Sequence, residues 1–177
     1  MTRWLAGFGL VGALLQLLGG ILETTDRVLP GESGFTARAS AIGFAYLMLM
    51  AAVIGVARSG AASGSWPARL GFVSASIGWA LSAVAQFVLQ VDVALAETVL
   101  FPTATVLIGL GMLVAGIAVV RANRWRGWRR ITPLICGLYP FVVIFPAFAA
   151  TGGPNFLVLS GWGLCWLALG ASLWKEA

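Results

Sequence analysis

Six long apolar runs dominate the sequence and leave little chain for anything else. They cover approximately residues 4–22, 39–57, 70–90, 99–120, 131–150 and 156–174, and the links between them are short. A helix needs roughly 20 apolar residues to cross the ~30 Å hydrocarbon core of a bilayer, and each run has about that length. The pattern predicts an all-α fold, a polytopic membrane bundle of six transmembrane helices in one domain, residues 1–177.

The composition excludes a soluble domain. Hydrophobic residues make up 60% of the chain and charged residues 10%, whereas soluble domains usually carry about 25% charged residues. Such a chain cannot cover its own core with a wettable surface. The first run follows Arg3 and ends in Gly-Gly-Ile-Leu-Glu without an A-x-A cleavage site, so we interpret it as a retained span.

The basic residues predict the orientation. All but Arg27 and Arg38 of the 11 basic residues fall on one side of the predicted bundle. The positive-inside rule places that side in the cytoplasm, so both termini are expected to be cytoplasmic and the protein multi-pass in the cell membrane. The abundance of arginine, alanine and glycine favours a bacterial inner membrane. Because these charges lie at helix ends, the net charge of +5 does not indicate nucleic acid.

Tryptophan is frequent, with eight residues in the chain. Those expected near the arginine-rich boundary, where aromatic side chains anchor helices, are Trp4, Trp66, Trp125, Trp128 and Trp174. Trp79, Trp162 and Trp166 fall deeper, where they pack or line a pocket.

A weak internal repeat is compatible with three helical hairpins. Spans one, three and five begin just after an arginine, and spans two, four and six end at a basic residue. Triplication would produce this pattern. The insertion rule alone also puts a basic residue at each inner helix end, and we favour that explanation because it needs no duplication.

Polar residues among small ones predict which helix faces point inward. In span one Gly9, Gly12, Gln16, Gly20 and Glu23 recur at steps of three and four, which keeps them on one face. Small residues are the usual packing surface of membrane helices, so the glycines need no other role. A primary amide in lipid has several hydrogen-bonding groups to satisfy, which makes the glutamines more informative.

Gln16 and Gln86 are expected at a similar depth in the outer half of the bundle, and further polar residues follow toward the outer end. Pro140 interrupts span five, and broken membrane helices often lie at binding sites. We therefore predict an outward-facing polar cavity whose ligand-binding residues are Gln16, Glu23, Gln86, Gln90, Trp79, Tyr139 and Asn155. Asn155 is also a possible cap of span six.

Three functions remain open. The first is binding or transport of a small amphipathic or lipid-like molecule. The second is a metal-free membrane enzyme of the isomerase or cyclase type, acting on an isoprenoid or lipid with Glu23, Asp92 and Glu97 as acid–base groups. The non-catalytic alternative is that these carboxylates are solvated at helix ends or form ion pairs with Arg27 or Arg38. The third is an accessory subunit of a membrane complex.

The expected partners are membrane lipids and a small amphipathic ligand, with a homo-oligomer or a membrane partner possible. No cofactor or metal is expected, because histidine is absent and Cys136 and Cys165 lack metal-site spacing. Nucleotide-binding and nucleophile motifs are missing as well. No residue pattern identifies a family.

Overall fold

The computed structural model describes residues 2–176, and these residues form helices and turns with no strand. Six of the helices are long and apolar enough to cross a membrane, which confirms the predicted all-α fold with six spans. They are α1 (Thr2–Thr25), α2 (Phe35–Arg58), α3 (Trp66–Val88), α4 (Val93–Ala122), α5 (Gly127–Thr151) and α6 (Phe156–Glu176). Most ends lie within a few residues of the prediction.

The beginning of α4 is the largest difference from the predicted boundaries. The helix begins at Val93 rather than near residue 99. The Asp92 carboxylate accepts a hydrogen bond from the Leu95 backbone N–H at 2.9 Å, as an N-cap residue does. This cap lets the helix start earlier than hydropathy alone indicates.

The six helices pack in chain order around a common interior. Each helix contacts the next one along the chain, and α6 contacts α1, so the order closes into a ring. α2 also contacts α6 across the ring, so side chains rather than an open channel occupy the centre. α5 packs more extensively on α4 than on α6, so the three successive hairpins are not equivalent in their packing. Internal triplication stays the less favoured explanation of the weak repeat.

Glycines allow the closest helix crossings. A Cβ added at Gly71 of α3 would lie 2.5 Å from the Gly111 carbonyl oxygen, and one at Gly111 of α4 would lie 2.5 Å from the Gly71 carbonyl oxygen. At Gly12 of α1 an added Cβ would lie 2.7 Å from the Ala45 carbonyl oxygen of α2. Real Cβ atoms do not approach so closely. Close backbone approach is the main source of attraction between helices in lipid, since burying apolar surface gains little there.

Two helices contain a π-helical turn just before a proline. In α4 this turn is Ala96–Leu100, and in α5 it is Pro140–Ile144. The sequence continues Phe101-Pro102 in α4 and Phe145-Pro146 in α5. A proline lacks an N–H and crowds the carbonyl four residues before it, so widening the preceding turn relieves the clash. The predicted interruption at Pro140 is therefore a wide turn within a continuous helix.

One end of the bundle holds the beginning of α1, the end of α6 and two links that we call the arginine-rich links. These are the α2–α3 link, flanked by Arg58 and Arg69, and the α4–α5 link, which contains Arg124 and Arg126. A Cβ on Gly7 would lie 3.5 Å from Trp174, and one on Gly60 would lie 3.7 Å from Nη1 of Arg124. Trp125 differs from the sequence-based expectation of a boundary residue. It is only 2% exposed and belongs to the buried core cluster, so the α4–α5 link folds inward at this end.

We expect Gly111→Ala to destabilise the bundle by about 1–3 kcal/mol, because the new methyl group forces α3 and α4 apart. Gly7→Ala is the matched control, since its Cβ would meet only Trp174 at ordinary contact distance. The control gains helix propensity and should be neutral or slightly stabilising. Thermal unfolding in detergent, followed by tryptophan fluorescence, measures both variants. Equal stability of the two variants would contradict the close crossing.

Candidate functional site

Four aromatic side chains fill the centre of the ring, and we call them the aromatic core: Tyr46, Trp79, Trp162 and Trp166. Trp79 stacks on Trp162 with ring centroids 5.3 Å apart and an interplanar angle of 26°. It meets Trp166 edge-on at 5.0 Å and Tyr46 at 5.3 Å. Stacked and edge-to-face pairs at these distances add attraction beyond simple burial. The aromatic core therefore joins α2, α3 and α6 in the interior.

Two indole N–H groups of the aromatic core have no hydrogen-bond partner. The Nε1 atoms of Trp79 and Trp166 are fully buried and unpaired, and the two side chains are 1% and 0% exposed. Trp162 differs, because its Nε1 donates to the Cys136 carbonyl oxygen of α5 at 2.9 Å. An unsatisfied buried donor costs roughly 1–3 kcal/mol. Such groups in a folded protein call for a specific explanation.

Gln16 contributes an unpaired acceptor from α1. The residue is 7% exposed, and its Oε1 has no hydrogen-bond partner. One turn before it, Gly12 packs on α2 at Ala45. On the other side, an added Cβ at Gly163 of α6 would lie 3.3 Å from the Ala13 carbonyl oxygen. Gln16 thus lies on the face of α1 between α2 and α6, one turn from the Gly12–Ala45 contact.

Gln86 is buried to the same extent as Gln16 but has a partner. It is 7% exposed, and its side chain lies beside the Tyr46 hydroxyl. An added Cβ at Gly43 of α2 would lie 3.5 Å from the Gln86 Cβ. Gln86 therefore holds α3 to α2 just outside the aromatic core. Gln90 reaches only its own helix, at 3.5 Å from the Gln86 carbonyl oxygen.

Tyr139 joins α5 to α6. Its hydroxyl donates to the Val158 carbonyl oxygen at 2.9 Å. This bond and the bond from Trp162 to the Cys136 carbonyl oxygen both join α5 to α6. Cys136 and Tyr139 lie just before the π-helical turn of α5. Side-chain hydrogen bonds thus fix α5 to the ring where its backbone is irregular.

Glu23 lies in an ion-pair group at the end of the bundle away from the arginine-rich links. Arg38 of α2 contacts the Glu23 carboxylate at 3.4 Å and the Asp26 carboxylate at 3.1 Å. Asp26 is largely exposed, whereas Glu23 and Arg38 are mostly covered. Arg27 lies over the Phe156 ring instead, with its guanidinium carbon 5.4 Å from the ring centroid. The Glu23 carboxylate therefore already has a charged partner.

The remaining predicted residues lie at helix ends. Asp92 caps α4, and Glu97 is exposed in the π-helical turn of that helix. Asn155 caps α6, because its Oδ1 accepts a hydrogen bond from the Val158 N–H at 3.2 Å. The predicted residues thus fall into an interior set of Gln16, Trp79 and Gln86, an α5–α6 contact at Tyr139, and a peripheral set at the end away from the arginine-rich links.

The predicted ligand-binding set omitted Tyr46 and Trp166, although Trp166 was expected at depth, where it packs or lines a pocket. Both had a signal: Tyr46 is a hydroxyl within an apolar span, and Trp166 lies one turn after Trp162 on the same helix face. What the sequence does not contain is the ring order that brings α2, α3 and α6 together. Helix spacing alone leaves open which deep aromatic residues share one interior.

Two concavities stand out in the described part of the chain, and both are shallow surface grooves away from the aromatic core. One has a volume of about 560 Å³ and is lined by Val84, Phe87, Val88, Val91, Asp92 and Leu95. The other has a volume of about 260 Å³ and runs between α3 and α4 in the half nearer the arginine-rich end. The interior site is therefore closed in this conformation, and its polar atoms rather than an open pocket mark it.

Replacing Gln16 or Gln86 by leucine should show that the two buried glutamines lie in different environments. Gln16→Leu removes an unpaired acceptor, so we expect neutral or increased stability in delipidated, detergent-solubilised protein. Gln86→Leu removes the polar group beside the buried Tyr46 hydroxyl, so we expect a loss of about 1–3 kcal/mol. The measurement is the free energy of unfolding of both variants. Equal destabilisation by the two substitutions would contradict the difference in hydrogen bonding.

Chemically, the interior offers two hydrogen-bond donors, one acceptor and aromatic faces. Within residues 2–176 no group of three histidine, cysteine or carboxylate side chains is arranged to hold a metal ion. Comparison with known protein families, curated proteins and solved structures finds no match.

Proposed function

We propose that this integral membrane protein binds a small amphipathic molecule in the aromatic core, reached from the outer half of the bundle. The observation that carries the proposal is the set of three buried polar atoms without partners: Gln16 Oε1, Trp79 Nε1 and Trp166 Nε1. They come from three helices, and Trp79 and Trp166 are in ring contact with each other. A ligand that pairs with them would offset the cost of burying them unpaired. Transport would additionally require release on the opposite side.

The donor and acceptor count favours a neutral hydroxyl as the polar end of the ligand. Two indole N–H groups donate and one amide oxygen accepts. A hydroxyl donates once and accepts twice, so one such group matches the three atoms in number. The rings of the aromatic core offer apolar and π surface for the body of the molecule. A long-chain or isoprenoid alcohol has this combination.

Buried residues close the arginine-rich end of the bundle, which favours access to the aromatic core from the outer end. Trp125, Ala61 and Ala62 from the two arginine-rich links are buried in the core cluster. In the other direction, α5 has its wide turn at Pro140–Ile144, in the middle of the helix, and is fixed to α6 by the Tyr139 and Trp162 hydrogen bonds. Opening these two bonds would move α5 and uncover the aromatic core.

We also propose that the arginine-rich end faces the cytoplasm of the cell, with both termini there, on the basis of the positive-inside rule. Green fluorescent protein fused to either terminus should then fluoresce. Alkaline phosphatase fused within the Arg27–Arg38 link should be active, and fused within the Arg121–Arg130 link it should be inactive. The reverse pattern of phosphatase activity would contradict this orientation.

The carboxylate enzyme receives less support. Glu23 is engaged by Arg38, and Asp92 is engaged by the beginning of α4, so neither is a free acid–base group. Glu97 lies on the exposed surface. The accessory-subunit alternative has no particular contact in its favour. We therefore retain binding as the proposed function.

The ligand proposal is tested with a bromoalkyl alcohol and a bromoalkane of the same length, because bromine quenches tryptophan fluorescence on contact. Both probes reach the lipid-facing tryptophans, so the difference between them reports recognition of the hydroxyl. We expect a saturable extra quenching by the alcohol that Gln16→Leu abolishes. Gln90→Leu is the matched control and should retain it, since the Gln90 amide reaches only its own helix. Identical quenching of the unaltered protein by both probes would contradict the proposal.

A further inference from the structure

A second candidate site lies on the outside of the bundle, remote from the aromatic core. The groove of about 260 Å³ between α3 and α4 is lined by Trp66, Leu70, Gly71, Leu110, Gly111 and Val114, among others. Its floor is the glycine crossing, where the two backbones approach most closely. Because neither glycine has a side chain, the flanking Leu70, Leu110 and Val114 stand above the floor, and all three are exposed. The α3–α4 groove is thus a narrow apolar channel facing lipid.

Positive charge and an exposed indole mark one end of the α3–α4 groove. Arg121 lies seven residues after Val114 and eleven after Leu110, which puts it on the same face of α4 two turns further toward the arginine-rich end. Its side chain is exposed. Trp66, at the beginning of α3, is 69% exposed at the same end of the groove. Tryptophan at this level is typical of the membrane–water interface.

The basic surface around Arg121 is folded rather than a loose tail. Asn123 adopts a left-handed conformation with φ of 51° and accepts a hydrogen bond from Arg130 Nη1 at 2.9 Å. Trp125, two residues after Asn123, is buried and anchors the link to the interior of the bundle. Arg124 and Arg126 on either side of Trp125 are exposed. The link that follows Arg121 therefore has a defined backbone conformation and carries exposed arginines.

Little negative charge opposes these arginines. Glu176 is the carboxylate side chain at this end in the described part of the chain, and it pairs with Arg129. The other carboxylates of the sequence lie toward the opposite end. An anion at Arg121 would therefore meet an uncompensated positive field.

We propose that the α3–α4 groove binds an anionic phospholipid, with one acyl chain over Gly71 and Gly111 and the phosphate beside Arg121. An apolar channel that ends at a guanidinium and an interfacial indole matches a molecule with a long tail and a charged head. Charge favours a lipid over a second copy of this chain. A symmetric pair through the groove would bring the arginines of both copies together, and like charges repel. This site is independent of the aromatic core and of its ligand.

The test is native mass spectrometry of delipidated protein titrated with phosphatidylglycerol or phosphatidylcholine of identical acyl chains. The unaltered protein should bind phosphatidylglycerol more tightly at its first site. Arg121→Gln should weaken phosphatidylglycerol binding about five-fold and leave phosphatidylcholine binding unchanged. Lys175→Gln is the matched control, because it removes one charge at the same end on another helix, and it should change the first site by less than two-fold.

A second variant tests the groove itself. Val114→Trp fills the channel from an exposed position, so folding should be retained and binding of both lipids at the first site should weaken. Inorganic phosphate should not displace the lipid, because it has no chain to occupy the groove. Unchanged phosphatidylglycerol affinity in Arg121→Gln, or displacement by inorganic phosphate, would overturn the proposal. So would loss of a dimer in Val114→Trp with lipid binding intact, which would assign the groove to a second copy.

Discussion

The close crossing of helix backbones is the interaction on which the rest of this structure depends. In hydrocarbon the apolar side chains gain little by leaving lipid for protein, so small residues that let backbones touch must hold the bundle together. The reciprocal approach of Gly71 and Gly111 holds α3 to α4, and Gly12 against Ala45 holds α1 to α2. These crossings set the ring order, and the ring order decides which side chains share the interior.

Polar side chains within the helices are accommodated in the interior of the ring. A lipid-facing amide or indole N–H beyond the reach of the interface has no water to bond, so such groups turn inward and find partners. Gln86 and Trp162 have partners in Tyr46 and Cys136. Gln16, Trp79 and Trp166 each retain one buried atom without a partner. This contrast between neighbouring residues of the same types distinguishes structural polar groups from candidate binding groups.

The number of helices, their approximate limits and the inward placement of Gln16 and Gln86 could be predicted from the sequence, because hydropathy and helical spacing are local properties. The α1 stripe shows the limit of such reasoning. Gly12 and Gly20 share one predicted face, yet Gly12 packs on α2 whereas Gly20 packs on α6 at Ser160. Residues on one helix face can pack on two different neighbouring helices, and the ring order decides which helix each residue contacts.

Other features were out of reach for the same reason. The pairing of Glu23 with Arg38 rather than Arg27 depends on how α1 meets α2, and the burial of Trp125 depends on how the α4–α5 link folds back. Neither feature produces a periodic pattern in the sequence. The aromatic core likewise assembles Tyr46, Trp79 and Trp166 from three helices that are distant in sequence.

The most direct test of the central claim is an experimental structure of the protein in lipid, at a resolution that shows ordered ligands and water. The claim predicts density for an amphipathic molecule whose polar end lies within hydrogen-bonding distance of Gln16 Oε1 and the Nε1 atoms of Trp79 and Trp166. Those three atoms bonded only to neighbouring protein groups, with the aromatic core closed and free of extra density, would contradict it and leave the interior as helix packing alone.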